Sequence, residues 1–430
     1  MAVDETIKFA GDVSIDRIQV ISSNGFTRNI TNQVQAFEIY EDLFSPFISG
    51  ILGVSESFDF TNLFPLVGEE FVEIKFHTPS FTGKGKVFND QFAIYKVENR
   101  ASSGDRTAVY EIHFISREAV VDLNKKVSKA YEGKISDIAE EILKDKINGL
   151  ETIKSVQVEP TPNGTKYISN FWSPVQNLNY LAENAKNQAG MPTYLFFENR
   201  YGFNFGSLTT LNKFGLRQSF IYDGYFRDIL PSGRDKRNID EEYKRILEIE
   251  IPILYDYMKR TMNGMYSSKQ IVHDIVTKKY KVHTYDMLED WDEKYHLNKF
   301  PVASKRAIRR PSQFLMHSQG YWGNFNGYRD ATNNSSSQKR ISLIEQAQMN
   351  KVIITVPGRT DYTVGDKIYL SLNKMNPIHG DETTRDDIDK FFSGNYLVGA
   401  INHVVTREKH ECVMEIIKDS YIMDLDGGGK

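Results

Sequence analysis

The residues best equipped for chemistry are few and scattered. Cys412 is the single cysteine among 430 residues, with His410 and His403 close by in sequence, so a thiol nucleophile served by an imidazole base is the first reaction to weigh. Cys412, Met414 and Ile416 alternate along one face of a strand, however, and that reads Cys412 as a core hydrophobe. His410 shares the face and is expected at the strand's edge, beside a charged turn. No two of the nine histidines stand at i, i+2 or i, i+4, and one thiol does not build a thiolate zinc centre or a disulfide, so neither metal nor cofactor is expected. His379, Asp381, Glu382 and Asp386 read as a solvated acidic loop.

Enzyme signatures are missing from the text. It contains no G-x-S-x-G, no H-E-x-x-H, no P-loop and no glycine fingerprint between a strand and a helix. Gly83-Lys-Gly-Lys86 is too short to cradle phosphate and reads as a β-turn. The 57 acidic residues leave a two-carboxylate glycosidase open without pointing to one. Lys305-Arg-Ala-Ile-Arg-Arg310 is the one concentrated basic patch. With no aromatic residues interleaved, it reads as a solvated turn or an acidic-protein contact rather than a nucleic-acid site. A formal net charge of -4 gives no global field that would steer the chain onto nucleic acid or an anionic membrane. The expectation is a protein that is not an enzyme.

The elements follow from periodicity. At about one domain per 150 residues the length suggests about three domains, and 12% aromatic residues with only 13 prolines supply ample material for cores. Residues 1–116 read as a β-domain: Val72, Ile74 and Phe76 alternate with polar neighbours, as do Tyr110, Ile112 and Phe114, and further strands are expected at 13–21, 33–41, 50–58 and 90–98. That spacing favours a barrel or sandwich. Residues 117–214 form an α+β unit. One helix carries Ile135, Ile138, Ala139, Ile142, Leu143 and Ile147 on its apolar face. A second opens with Ser173 as N-cap, Pro174 at the first position and Gln176 completing a capping box, with a stripe of Leu178, Leu181, Ala182, Ala185 and Ala189 ended by Gly190. A hairpin follows over 194–208.

Residues 215–317 read as a second β-rich domain, with strands near 246–251 and 269–276 and helical text near 253–262. The Gly-, Asn- and Ser-rich stretch 318–339 reads as a linker or exposed loop. Residues 340–430 give a short helix at 340–350, a small β-domain with strands at 352–356, 367–372, 395–406 and 411–418, a polar insertion at 373–394 and a flexible Gly-rich tail. The fold class is β-rich α+β, multidomain. The start lacks the basic and apolar regions of a signal peptide, and no apolar run is long enough to span a bilayer. A cytoplasmic origin is expected.

Three groups of residues carry a resemblance. Ala36-Phe-Glu-Ile-Tyr-Glu-Asp-Leu-Phe-Ser-Pro46, Gly50-Ile-Leu-Gly-Val-Ser-Glu-Ser57 and Leu66-Val-Gly-Glu-Glu-Phe-Val-Glu-Ile-Lys-Phe76 form the first. Asn170-Phe-Trp-Ser-Pro-Val-Gln-Asn-Leu-Asn-Tyr-Leu-Ala-Glu-Asn-Ala185 with Tyr194-Leu-Phe-Phe-Glu-Asn-Arg-Tyr-Gly-Phe203 forms the second. Val356-Pro-Gly-Arg-Thr-Asp-Tyr-Thr-Val-Gly-Asp366 with Gly394-Asn-Tyr-Leu-Val-Gly-Ala-Ile-Asn-His403 forms the third. In this order they resemble the baseplate hub proteins of contractile-tailed bacteriophages, a family similar to the hub part of type VI secretion spike proteins. The signature positions are Tyr40, Glu41, Pro46, Gly50, Gly68, Glu69, Trp172, Pro174, Leu181, Phe196, Phe197, Gly202, Pro357, Gly358, Gly365, Asp366 and His403.

The resemblance implies two tail-tube-like β-barrel or sandwich domains per chain, at 1–116 and 215–317, with the α+β unit and the C-terminal β-domain outside them. It implies a homotrimer that adapts a sixfold tail tube to a threefold spike and leaves a channel for DNA. The implied partners are the tail tube protein, a central spike protein on a separate chain, and baseplate wedge or tape-measure proteins, with nucleic acid only in passage and no stable membrane binding. The implied location is the virion tail, assembled in the host cytoplasm. Such a passage should not be ringed by basic residues, so Arg306, Arg309 and Arg310 are not expected to line it. A tail-associated cell-wall hydrolase, with paired acids in a cleft, and a host-glycan-binding module, with exposed aromatics in a groove, are the rival readings.

Overall fold

The computed structural model describes residues 6–56, 66–80, 86–102, 107–222, 239–253, 255–274, 278–306, 310–311, 313–319, 321–324, 327–329, 336–374 and 388–427. The expected turn at Gly83, the acidic loop at 379–386 and Arg309 lie outside these residues.

The alternation in the first hundred residues becomes seven strands: β1 (Ser14–Ile21), β2 (Thr27–Asn29), β3 (Val34–Asp42), β4 (Ser49–Glu56), β5 (Phe71–His77), β6 (Phe88–Ser102) and β7 (Ala108–Ser116). They pair in the order β3-β4-β7-β6-β5-β1-β2. Every second side chain turns inward, as the period of two requires. Phe37, Ile39, Leu52, Val72, Ile74, Phe76, Phe92, Ile112 and Phe114 meet in one core and are essentially inaccessible to water.

The α+β unit contains α1 (Arg117–Asn124), β8 (Ala130–Lys134), α2 (Ile135–Lys144), β9 (Val156–Val158), β10 (Gly164–Ile168), α3 (Pro174–Asn184), β11 (Tyr194–Asn199) and β12 (Gly202–Ser207). The capping box forms as the sequence predicts: Ser173 Oγ accepts from the Gln176 amide, and the Gln176 side chain accepts from the Ser173 amide. Both helices stop earlier than their apolar stripes suggest. α2 ends at Lys144, and Ile147, 80% exposed, lies beyond it. α3 ends at Asn184. Ala189 instead belongs to a turn organised by Asn187, whose Oδ1 accepts from the amides of Ala189 and Met191 before Gly190 takes a φ of 78°.

The remaining chain supplies β13 (Leu216–Tyr222), β14 (Glu248–Ile253), β15 (Ser267–Asp274), β16 (Lys279–Asp286), β17 (Phe300–Pro301), β18 (Gln313–Gln319), β19 (Tyr321–Asn324), β20 (Gly327–Arg329), α4 (Ser336–Ala347), β21 (Asn350–Pro357), β22 (Lys367–Leu372), β23 (Gly394–Thr406), β24 (His410–Lys418) and β25 (Ser420–Tyr421). The strand pairing divides the stretch 215–317. β13 lies parallel to β22 and β14 antiparallel to β21, so both join the C-terminal strands around a shared core of Phe220, Ile354, Val356, Tyr362, Ile368, Leu370, Tyr396, Met414 and Ile416. β15, β16 and β18 make a separate sheet. Part of the expected linker at 318–339 is also strand, since β18 runs to Gln319 and β19 pairs with β20. Glycine- and serine-rich text masked partners that local pattern cannot reveal. Among the described residues no helix is long and apolar enough to cross a membrane.

The two β units are one sheet. β23 pairs antiparallel with β3, Ala400 opposite Asp42 through Thr406 opposite Ala36, and the ladder runs β14-β21-β24-β23-β3-β4 without a break.

One end of this sheet carries a buried cation. Lys418 Nζ donates to the carbonyls of Phe391 and Phe392 and stands over the rings of Tyr396 and Tyr421. Burial pulls its pKa down to about 7, with Asp389 opposing the shift. Below pH 7 the ammonium is charged in both the folded and the unfolded chain, and its desolvation opposes folding. Above pH 7 the folded chain loses the proton first while the unfolded chain keeps it, so stability from this group rises with pH, by an amount on the order of a few kcal/mol. Thermal midpoints of the wild type and Lys418→Met, compared from pH 6 to pH 9, should show the wild type gaining on the variant only above about pH 7. A constant difference would contradict the depressed pKa.

Candidate functional site

Of the signature residues, Glu41 of the first group and Pro357, Gly358 and His403 of the third lie at the seam between β3 and β23. Glu41, at the end of β3, is 1% exposed. Its Oε2 accepts from the Thr363 hydroxyl and, at 3.3 Å, from the Val364 amide. Its Oε1 lies 3.8 Å from Nε2 of His403 on β23. His403 is registered opposite Cys412 on β24, and His410, two residues before Cys412, shares that inward face. As expected, His410 stands at the start of its strand beside the charged Arg407-Glu408-Lys409 turn, and it is fully buried there. Its amide donates to the Gly11 carbonyl, its carbonyl accepts from the Gly358 amide, and its ring meets Phe76 edge-on.

His403 Nδ1 lies 3.0 Å from His410 Nε2, and Cys412 Sγ lies 3.3 Å and 3.5 Å from the same two nitrogens. No spacing rule along one strand finds this group, because one member comes from the opposite strand. The signature Pro357-Gly358 turn makes room for it. A Cβ on Gly358 would stand 2.3 Å from the His410 ring. Burial pushes the Glu41 carboxyl up to about 7, holds His410 down to about 3, lowers His403 well below the usual imidazole range and raises the Cys412 thiol. A thiol held protonated is a poor nucleophile, whereas two neutral imidazoles and a sulfur turned toward one point are the donor set of a soft or borderline metal ion.

The other signature residues are spread through the fold. Leu181 and Phe196 lie in the core of the α+β unit, Trp172 packs against it, and Pro174 opens α3. Phe197, the next residue on β11, turns the other way into the core of the second β unit, so the hairpin serves both. Gly202 takes a φ of 121° with the Ser155 carbonyl 2.1 Å from where a Cβ would stand. Gly50 admits no Cβ between the Glu38 carbonyl and the Phe114 ring. Gly365 has a φ of 83°, and Asp366 pairs with Arg217 at 3.1 Å. Pro46 is half-buried in the turn after β3. Tyr40 bonds Glu38 on the outer face, and Gly68 and the exposed Glu69 lie at the entry to β5, away from the seam.

A second buried cluster carries no motif. Glu198 of β11 accepts from Ser116 Oγ at 2.5 Å, from the Ile48 amide at 3.0 Å and from Lys154 Nζ at 2.6 Å. It thereby fixes the hairpin to the first β unit. Burial raises its carboxyl to about 7 against the pull of Lys154. Asp90 stands 3.1 Å from the same ammonium. The two acids with the most strongly raised pKa, Glu41 and Glu198, sit in separate closed clusters rather than paired in a cleft.

The opposite face of the sheet is open. Along β21, β24, β23, β3, β4 and β7 the half-exposed positions alternate with core residues. They present Glu38, Asp42, Glu111, Glu411 and Glu415 against Lys351, among small and neutral residues such as Ala36, Ala400, Asn402, Ser49 and Gly53 and aliphatic ones such as Ile51, Ile353, Val404 and Val413. Lys351 pairs with Glu415 at 2.6 Å. Arg306 and Arg310 are exposed elsewhere, beyond β17, where the neighbouring Lys305 amide donates to Asp426.

Comparison with known proteins gives this arrangement a context. No family model matches the chain. Two solved structures share its fold: a tail protein from Neisseria meningitidis, 10% identical, covering 94% of this chain and 96% of that one with a TM-score of 0.53, and the 43 kDa tail protein of prophage MuSo2 from Shewanella oneidensis, 9% identical, covering 94% and 98% with a TM-score of 0.53. The fold is thus that of phage-type tail proteins, mostly β and multidomain. In sequence, the chain is 20% identical over 429 residues, 94% of each chain, to the probable baseplate hub protein gp334 of Vibrio phage KVP40. In sequence the chain thus resembles the baseplate hub family along almost its whole length.

The Glu198 cluster is open to test. Lys154→Met leaves a buried carboxylate without its cation and should cost about 3 kcal/mol in urea unfolding. Lys154→Met combined with Glu198→Gln should recover part of that loss. Equal losses in the single and double variants would show that the pair is not coupled.

Proposed function

We infer that the chain is a structural hub of a phage-type tail baseplate. The observation that carries this reading is the open face of the sheet, which runs unbroken across two β units and sets carboxylates among small and aliphatic side chains. One unit comprises β1 to β7. The other comprises β13, β14 and β21 to β24, which revises the tube-like segment from 215–317 to strands drawn from both sides of residue 318. With two such units per chain, a homotrimer presents six around a passage, and its threefold frame adapts a sixfold tube to a threefold spike. The carboxylate-rich face suits that passage, because neutralising phosphates would retain nucleic acid by counterion release.

The partners on this reading are the tail tube protein on one side, a central spike protein on the other, and wedge or tape-measure proteins at the periphery, all within the virion tail. Exposed apolar side chains such as Tyr255, Met258 and Met262 are the kind of surface that obligate contacts bury. The role is structural and needs no turnover. Arg306 and Arg310 lie off the passage.

Mass determination in solution with negative-stain imaging should find a trimeric ring with a central opening; a monomer without one would overturn the reading. The charge argument has its own test. Duplex DNA should not be retained by the wild type at physiological salt. A variant carrying Glu38→Lys, Glu411→Lys and Glu415→Lys should retain it, its salt dependence steepening by about 0.9 per phosphate contacted. Equal binding by both proteins would remove the open face from the passage.

A further inference from the structure

We propose that His403, His410 and Cys412 form a buried binding site for a divalent cation of the zinc class. The geometry is the first support. A tetrahedral ion with nitrogen ligands at about 2.0 Å and sulfur at about 2.3 Å sets its ligand atoms about 3.3 Å apart for two nitrogens and about 3.5 Å for nitrogen and sulfur. The observed separations are 3.0 Å between the nitrogens and 3.3 Å and 3.5 Å to the sulfur. All three atoms come from adjacent antiparallel strands in fixed register. A histidine and a cysteine two apart on one strand, with a histidine facing the cysteine, give three corners of the tetrahedron, and the fourth is left to a small exogenous ligand.

Hydrogen-bond accounting is the second support, and it is independent of the distances. Each neutral imidazole has one N–H and one lone pair, and a thiol is a weak donor. Without a cation, if one inner nitrogen donates to the other, the thiol proton finds no lone pair left on the inner side. If neither inner nitrogen is protonated, two lone pairs face each other at 3.0 Å. A cation accepts all three inner lone pairs at once, once the thiol has given up its proton. Both imidazoles then carry their proton on the outer nitrogen. For His403 that is Nε2, which lies 3.8 Å from the buried Glu41 Oε1, and for His410 it is Nδ1, buried without a hydrogen-bond partner. A carboxylate behind a ligating imidazole is the usual outer support of such a site.

Within the ligand set and Glu41 the charge closes as well. A divalent ion with one thiolate and two neutral imidazoles leaves one positive charge, which the Glu41 carboxylate balances. The other charged groups near the cluster are Arg200 and the Arg359–Asp361 pair, the latter joined at 2.7 Å. The backbone amide of Arg359 also favours the thiolate. Among the described residues all three side chains are fully buried, so the ion enters as the chain folds, and it ties the β23–β24 hairpin to the end of β3.

The experiment uses the full chain without an affinity tag. Protein grown with added zinc should carry about one zinc per chain by elemental analysis. Protein unfolded in urea and refolded with cobalt(II) should show thiolate-to-cobalt charge-transfer absorption together with tetrahedral visible bands, and its thermal midpoint should exceed that of protein refolded with a chelator. Cys412→Ser should lose the charge-transfer absorption, and His403→Ala should lower the metal content; the wild-type cobalt spectrum stands whether or not either variant folds. Folded wild-type protein that holds no metal and gives no thiolate band would overturn the proposal. So would cobalt bound without that band, since the half-buried group of Glu98, Glu111 and His113 offers no sulfur.

Discussion

The pairing of β3 with β23 is the constraint on which the rest of the chain depends. It joins segments more than 350 residues apart, since Ala36 faces Thr406 and Asp42 faces Ala400. Without it, each β unit would end in a strand whose amides and carbonyls have no partner, an edge open to other chains. With it, β23 serves both cores. Val405 of β23 packs with Phe37 and Ile39 in the first, while Ile401 of the same strand packs in the second, where Leu43 beyond β3 joins it. Loop-closure entropy grows only with the logarithm of the intervening length, so the sequence separation itself opposes this pairing weakly. Smaller links reinforce it. Thr78 and Thr360 exchange hydrogen bonds between backbone amides and hydroxyls, and Arg407 reaches the carbonyls of Asn32 and Val34.

Buried polar groups give the joined sheet a single register. A slip of one residue would turn every inward side chain outward, and at the seam it would also strand the Glu41 carboxylate away from Thr363 and Val364. Glu198 acts in the same way at the other junction, because its oxygens are satisfied only where Ser116, the Ile48 amide and Lys154 meet. Phe196 and Phe197, adjacent on β11, point into different cores. The α+β unit is therefore held by apolar packing on one side of the hairpin and by a charged cluster at its end, and neither is readily satisfied in another arrangement.

Much of this was legible in the sequence, and the limits have physical causes. Strict alternation at Val72-Ile74-Phe76 and Tyr110-Ile112-Phe114 marks half-buried strands because the pleat makes it so, and the Ser173–Gln176 capping box is a local interaction four residues long. Helix ends were less legible: the stripes through Ile147 and Ala189 continue past the points where Lys144 and Asn184 end the hydrogen-bond ladder. What was illegible is long-range. Nothing local in Leu216–Tyr222 says that it will lie parallel to Lys367–Leu372, so residues 215–317 read as a unit they do not form. His403 and Cys412 are nine apart and meet only because two strands fold back on each other. Glu41, Gly358 and His403 lie in separate stretches of the sequence, and only the fold shows that they border the same buried cluster.

The period of two also explains how one sheet can serve stability and surface chemistry separately. The residues that hold the seam and those that face outward alternate along the same strands, so the outer set can vary with little effect on the cores. Its pattern is selective. Glu415 stands opposite Ala400 and Ile353, Glu411 opposite Val404 and Pro357, Glu38 opposite Val404 and Ile51, and Asp42 opposite Ala400. A sheet stabilised through its outer face would set bases directly across from these acids, since such pairs contribute up to about 1 kcal/mol each. Among the described residues only Lys351 and, at the hairpin tip, Lys409 reach Glu415 and Glu411; Glu38 and Asp42 have no base directly across in the ladder. Carboxylates left without a facing cation keep their field, and at a Debye length of about 8 Å in physiological salt that field extends past the side chains into the adjoining solvent. Such a surface is better suited to keeping a polyanion at a distance than to strengthening the sheet.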